Sequence, residues 1–279
     1  MPASHPLHNQ VSSALQTRHG IPVNPQWLNT FLTSRGPNPP PLPALISTAH
    51  FRILASDITT TVAPTNAAEA FPEGVIDVNV KERRLQGTVI AQVLDVLDVG
   101  SSKWSQVEAI ERVERGEEVR GREVIRTVDS TGNDNEDDAG VNGTGAPPRG
   151  ASTNATFTNS LFANTKLSAG PHKLLLQDAH GTKVPAFELV KIAKIGLSTS
   201  ASATLPASAR NAHEDPGMFI GCKLLLRPDT VVRRGMVMLT PDNCVVLGGK
   251  VEAWDKKWKE ERKQRLTALV REENATAAG

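Results

Sequence analysis

Tyrosine is absent from the 279-residue chain, and seven Phe and four Trp bring aromatics to only 4%. A chain without a tyrosine hydroxyl does not cleave DNA through a phosphotyrosine, and few rings are left for gripping single strands by base stacking. Cysteine is scarce too. Cys222 and Cys244 lie inside strand-like runs, make no disulfide framework, and read as buried apolar residues of a reducing compartment. The formal charge is +1 and the pI near 7.9, so no global basic field advertises nucleic acid, and any DNA contact must be local or shared with a partner. No run of about 18 apolar residues is present to span a membrane. The start, MPASHPLHNQ, has no basic region followed by an apolar core. The expectation is a soluble intracellular protein without a leader or membrane contact.

Catalytic patterns are missing as well. Gly248-Gly249-Lys250 has neither the loop length nor the following Ser or Thr of a phosphate-binding loop, and reads as a tight turn before the last helix. The seven histidines are scattered, and none pairs with cysteine at a metal-ligand spacing. No serine sits in a Gly-x-Ser-x-Gly elbow. The expectation is a protein that is no enzyme and carries no cofactor or metal.

What the chain has in plenty is Gly (21) and Pro (19), which mark long irregular segments between its ordered parts. Residues 12–18 and 24–34 read as two short helices, with Asn24 as cap and Pro25 in the first turn of the second. Trp27, Leu28, Phe31 and Leu32 share one face. After a Gly-Pro-rich break, 45–58 reads as a third helix. This bundle, 1–66, is too small to stand alone and is expected to pack on the strands C-terminal to it. Residues 74–80 and 87–99 turn to strand composition, the second rich in β-branched residues. Residues 101–113 come next as a short helix with Trp104, Val107 and Ile110 at helical spacing.

From 112 to 169 the chain becomes acidic, then rich in Gly, Asn, Thr and Ser, a composition that buries too little apolar surface to offset ordering. This is expected to be a disordered insertion or a partner-contacting loop, with 119–128 the part that orders. Strands resume at 173–177 and 182–189 around the turn Asp178–Gly181, where Pro185 calls for an edge or a bulge. A second flexible loop is expected at 198–216. Short apolar runs then appear at 223–227, 235–240 and 244–247, broken by turn residues. In Met236-Val237-Met238-Leu239 both parities are apolar, so both faces of that strand should be covered. A charged helix and tail, 252–279, close the chain. The fold class read from this is α+β: a small helical bundle packed on a five-stranded OB-type β-barrel spanning 67–251, with a sandwich as the alternative.

Basic residues gather at two places. Arg227, Arg233 and Arg234 flank the late strands, and Lys256 and Lys257 open the last helix. They are either a solvated, salt-bridged face or a weak phosphate-contacting stripe. Lys223 heads a strand. A long cation there can lay its stem on apolar surface while its ammonium seeks a partner carboxylate, which makes it a candidate docking residue.

Four segments, IPVNPQWLNTFL (21–32), AQVLDVLDVGSSKWSQV (91–107), LLLQDAHGTKVPAFE (174–188) and 221–251 with its LGGKV end, resemble the RecQ-mediated genome instability protein 1 family. They occur in the family's order and span about 12 to 269. The acidic insertion is longer than the family core requires. The chain is expected to be the short, fungal form, without the extra C-terminal OB domain of longer animal members. The resemblance implies a non-catalytic nuclear scaffold in a complex of topoisomerase III with a RecQ helicase, acting in DNA repair by dissolving double Holliday junctions. It implies a barrel that docks on the topoisomerase, and an insertion, with Val119, Val124 and Ile125, that reaches toward the topoisomerase gate. The alternative is an OB-type protein that binds single-stranded or branched DNA directly.

Overall fold

The computed structural model describes residues 5–36, 39–115, 168–197 and 217–277. Four helices come first: α1 (His8–His19), α2 (Pro25–Thr33), α3 (Leu42–Leu54) and α4 (Ile58–Thr61). Asn24 caps α2, its side-chain oxygen accepting the N–H groups of Gln26 at 2.9 Å and Trp27 at 3.4 Å. The third helix stops at Leu54, short of the expected 58. Asp57 leaves it and caps α4 instead, accepting the Thr59 N–H at 3.0 Å. Leu15, Leu28, Leu32, Leu45, Ala49 and Ile53 fill the bundle, and the same cluster takes in Ile90 from a strand of the sheet and Ala179 from a turn between two of its strands. The bundle therefore rests on the sheet, which supplies the apolar cover it lacks alone.

The sheet has eight strands: β1 (Arg83–Arg84), β2 (Val89–Asp98), β3 (His172–Asp178), β4 (Lys183–Glu188), β5 (Lys223–Leu226), β6 (Val231–Arg233), β7 (Met236–Leu239) and β8 (Cys244–Gly248). Their order is β1-β6-β7-β4-β3-β2-β5-β8, antiparallel throughout except for β4 beside β7. Val89, Val93, Leu174, Val184, Leu224, Val237 and Cys244, drawn from six of the strands, meet in one core, so the sheet curls around its own inner face. Each such buried aliphatic side chain contributes about 1.5–3 kcal/mol. Among the described residues the end strands β1 and β8 do not pair with each other, so the curl stays an open half-barrel.

Eight strands stand where five were expected. The additional ones include β1 and β6, of two and three residues, too short for an apolar alternation to reveal. Residues 74–80 are not a strand. They form turns, with Ile76 and Val78 exposed. Nor is β4 an edge. Its parallel ladder to β7 starts at Ala186, so beside Pro185 the strand still has a free side where a missing N–H breaks no ladder bond.

Helix α5 (Lys103–Glu114) leaves β2, and the long α6 (Glu252–Ala277) closes the described chain. They pack on each other, α5 burying Val107 while Trp104 stays 65% exposed. Helix α6 docks through Trp258 and Leu266, and the Trp258 indole N–H donates to Asp95 on β2. No described helix is long and apolar enough to cross a membrane.

Candidate docking surface

Lys223 sits inside the molecule, not on its surface. It is 1% exposed, and its ammonium donates to the carbonyls of Ser56 at 2.5 Å, Gly221 at 2.7 Å and Leu54 at 3.2 Å. Three N–H groups meet three carbonyls, two of them at the end of α3, so this lysine ties the sheet to the bundle. A partner carboxylate has no route to it. The acceptors at the end of its side chain belong to the chain itself and not to a partner. Burial pushes its pKa down to about 8.

Gln92 on β2 makes the second tie. It accepts from the Ile58 N–H at 3.0 Å and donates to Asp57 at 2.7 Å and Gln177 at 3.0 Å. Gly249 makes the third. With φ at +95°, a Cβ there would lie 2.3 Å from the Leu54 carbonyl oxygen. Only glycine lets the end of β8 run this close to α3.

A second polar cluster lies where both long insertions leave the sheet. Ser168 Oγ and His172 Nε2 are 2.6 Å apart, His172 Nδ1 and Glu188 Oε2 2.5 Å, and all three residues are buried. The order Ser–His–Glu is that of a hydrolytic triad. The surroundings are those of a clamp: Ser168 Oγ accepts the Leu197 N–H, Glu188 accepts the N–H groups of Ile192 and His172, and the Ser168 N–H donates to Leu197. Ser168 comes after the first insertion and Leu197 precedes the second, so the cluster pins the two roots together. No sequence spacing announces it, because Glu188 comes from a different strand than the Ser168–His172 segment.

The outer face of the sheet carries the surface suited to a partner. Leu175 on β3 lies opposite Pro185 on β4, and Phe187 lies beside Met238 on β7. With Met236 these side chains alternate with the buried ones, point away from the barrel core, and are partly exposed. Leu189 and Val190 extend the strip at 57% and 52% exposure. Lys173 and Lys183 rim it, both exposed and without a charged partner among the described residues, as does Arg233, which pairs with Glu82 at 3.0 Å. Both parities of 236–239 are apolar, as the sequence shows, and the outer one, Met236 and Met238, is covered only in part.

The remaining candidates divide. Val119, Val124 and Ile125 lie outside the described residues. Arg227, Arg233, Arg234, Lys256 and Lys257 are all exposed. Arg234 donates to the Val78 carbonyl, Lys257 faces Glu261 at 3.8 Å, and Arg227 and Lys256 have no acidic partner among the described residues. They come from three places: the end of β5, the β6–β7 hairpin, and the first turns of α6. Among the described residues no hydrogen bond or ring contact links the groups. Cys222 and Cys244 are free and buried, and burial pushes their thiols up to about 11 and about 12.

Comparison with known proteins agrees with this architecture part by part. The family model described as "RMI1, N-terminal helical domain" matches residues 15–61. That described as "RMI1, N-terminal OB-fold domain" matches residues 65–203 and 210–262. The chain is 27% identical over 248 residues to RecQ-mediated genome instability protein 1 of Schizosaccharomyces pombe (strain 972 / ATCC 24843). That alignment covers 86% of this chain and 87% of the relative.

Proposed function

This chain belongs to the RMI1 family, and from that premise we propose that it is a non-catalytic scaffold subunit joining a topoisomerase III to a RecQ-family helicase in the nucleus. It acts in decatenation and in dissolution of double Holliday junctions during DNA repair, with its own DNA contacts weak or shared with its partners. The helicase link is supported by the name of the fission-yeast relative. The observation that carries the docking role is the partly exposed strip Leu175–Pro185–Phe187–Met238 on the outside of the OB sheet, extended by the exposed Leu189 and Val190. A flat apolar strip with cationic rims, anchored by an aromatic, has the make-up of a protein interface. It fits a topoisomerase surface with an apolar centre and acidic edges.

The test is a calorimetric titration of topoisomerase III with the full chain and with Phe187→Asp/Met238→Asp. Both side chains point away from the core, so the variant should fold, as its amide spectrum would report. Affinity should fall by at least about 2 kcal/mol, the range of an interface anchor. Undiminished binding would remove the strip from the interface. DNA relaxation or ATP hydrolysis by the purified chain alone would overturn the scaffold reading itself.

A further inference from the structure

Helices α5 and α6 and strand β2 enclose a cavity of about 350 Å³, whose Asp95 and Leu97 lie across from Leu175 and Lys173 at the margin of the strip. Its floor is apolar, from Leu97, Leu266 and Leu269. Its polar groups are incompletely used. The amide nitrogen of Gln106 donates to the carbonyls of Asp98 at 2.9 Å and Ser101 at 3.0 Å, which settles which end of the side chain is the NH₂. The other end, Oε1, is buried without a hydrogen-bond partner, although the residue is only 7% exposed. Arg265 reaches Asp95 and the Trp258 carbonyl through its terminal nitrogens, while its Nε is likewise buried and unpartnered. Arg262 lies over the Trp258 ring at 5.5 Å and donates no hydrogen bond among the described residues.

An orphaned acceptor beside two guanidinium groups with unused N–H donors is a definite chemical demand. Each buried unpaired group weakens the fold until it is met. A ligand that meets it brings an N–H for Gln106, a carboxylate for Arg262 and Arg265, and an aliphatic group for the leucine floor. Phosphate alone has no N–H to give and no apolar part. A nucleic-acid backbone would also meet the carboxylate of Asp95 at the cavity wall. An acyl chain brings neither donor nor charge. A peptide segment with Glu or Asp beside Leu, Ile or Val brings all three, and the volume lies in the range of small-ligand pockets. We propose that the α5–α6 cleft is a docking site for a short acidic–aliphatic peptide segment of a partner protein.

The experiment monitors the Trp258 indole N–H and the Gln106 side-chain NH₂ in the nitrogen–proton spectrum of the full chain. The probes are acetyl-Leu-Glu-Leu-amide, acetyl-Leu-Gln-Leu-amide, acetyl-Gly-Glu-Gly-amide and inorganic phosphate. The first peptide should shift both resonances saturably below about 10 mM. Replacing its Glu by Gln, or Arg262 by Gln in the protein, should weaken binding at least about tenfold, as for loss of a charge-assisted pair. Arg262→Gln breaks no hydrogen bond of the described fold, and Leu269→Asn gives an independent change at the floor with the same expected direction. The proposal is overturned by the absence of saturable shifts with acetyl-Leu-Glu-Leu-amide. It is equally overturned by phosphate or acetyl-Gly-Glu-Gly-amide shifting both resonances as strongly, or by unchanged binding in both variants.

Discussion

Lys223→Met keeps the stem of the buried lysine and removes its three N–H donors. Two effects then oppose. The Ser56 and Gly221 carbonyls lose their lysine partner, while the Leu54 carbonyl keeps the Lys250 N–H at 3.2 Å. Two buried acceptors left open cost about 2–6 kcal/mol together. Against this, the mutant no longer buries a cation. The lysine pKa of about 8, against an ordinary 10.5, means that the fold disfavours the charged form by about 3 kcal/mol at about 1.4 kcal/mol per pH unit. The two nearly offset, and the net change expected at pH 7 lies between about 1 kcal/mol of gain and about 3 kcal/mol of loss. The pH dependence gives a sharper signature. The unfolded lysine holds its proton up to about 10.5 and the folded one only to about 8, so the unfolded state binds more protons between these values. The burial penalty is fully present below about 8 and is relieved as pH rises toward 10.5, which stabilises the wild type but not the mutant. Urea unfolding from pH 7 to 10.5 should show the gap between the two proteins widening by up to about 3 kcal/mol. A gap that stays flat across that window would refute the reasoning. Loss of topoisomerase binding with unchanged stability would return Lys223 to the docking surface.

The remaining buried ties carry expectations of their own. His172→Leu should cost about 2–4 kcal/mol in urea unfolding, because it leaves Ser168 and Glu188 buried without the ring between them. Ser168→Ala should cost less, since Glu188 keeps its histidine. Gly249→Ala combines a positive φ with a Cβ 2.3 Å from the Leu54 carbonyl oxygen, and should lower stability by more than about 2 kcal/mol and loosen the bundle from the sheet, as hydrogen exchange at α3 would report. Cys222 and Cys244, with thiols raised to about 11 and about 12, should react with a thiol reagent only after denaturation. Rapid labelling of either in the native protein would contradict their burial.

Burial at the insertion roots also makes mechanical sense of the fold. Gly100 approaches Gly170 so closely that a Cβ on Gly100 would lie 2.0 Å from the Gly170 carbonyl oxygen. The chain leaving β2 thus meets the chain entering β3. The Ser168–His172–Glu188 cluster then joins this root to that of the second insertion. Whatever the insertions contact, they start from a fixed base.

Local chemistry alone determined much of this protein. Asn24-Pro25 set the start of a helix, Asp178–Gly181 set a hairpin, and the β-branched run 89–98 set the central strand, because each depends on neighbours within a few residues. The outer strip was half legible: alternation in 236–239 showed two apolar faces, but which one the core takes depends on β4 and β6 lying beside it. Strands of two or three residues could not be seen at all, since their extended form comes from a partner strand and not from their own pattern. Lys223 shows the limit most plainly. Its sequence says only that a cation opens an apolar strand, and a cation there can point to solvent or into the fold. The three carbonyls that decide the matter come from residues 54, 56 and 221, two of them about 170 positions away, and only the packing of α3 against the sheet brings them to one nitrogen. Gln106, Arg262 and Arg265 were invisible as a site for the same reason. Unpaired hydrogen-bonding capacity is a property of what surrounds a side chain, and those surroundings exist only once the chain has folded.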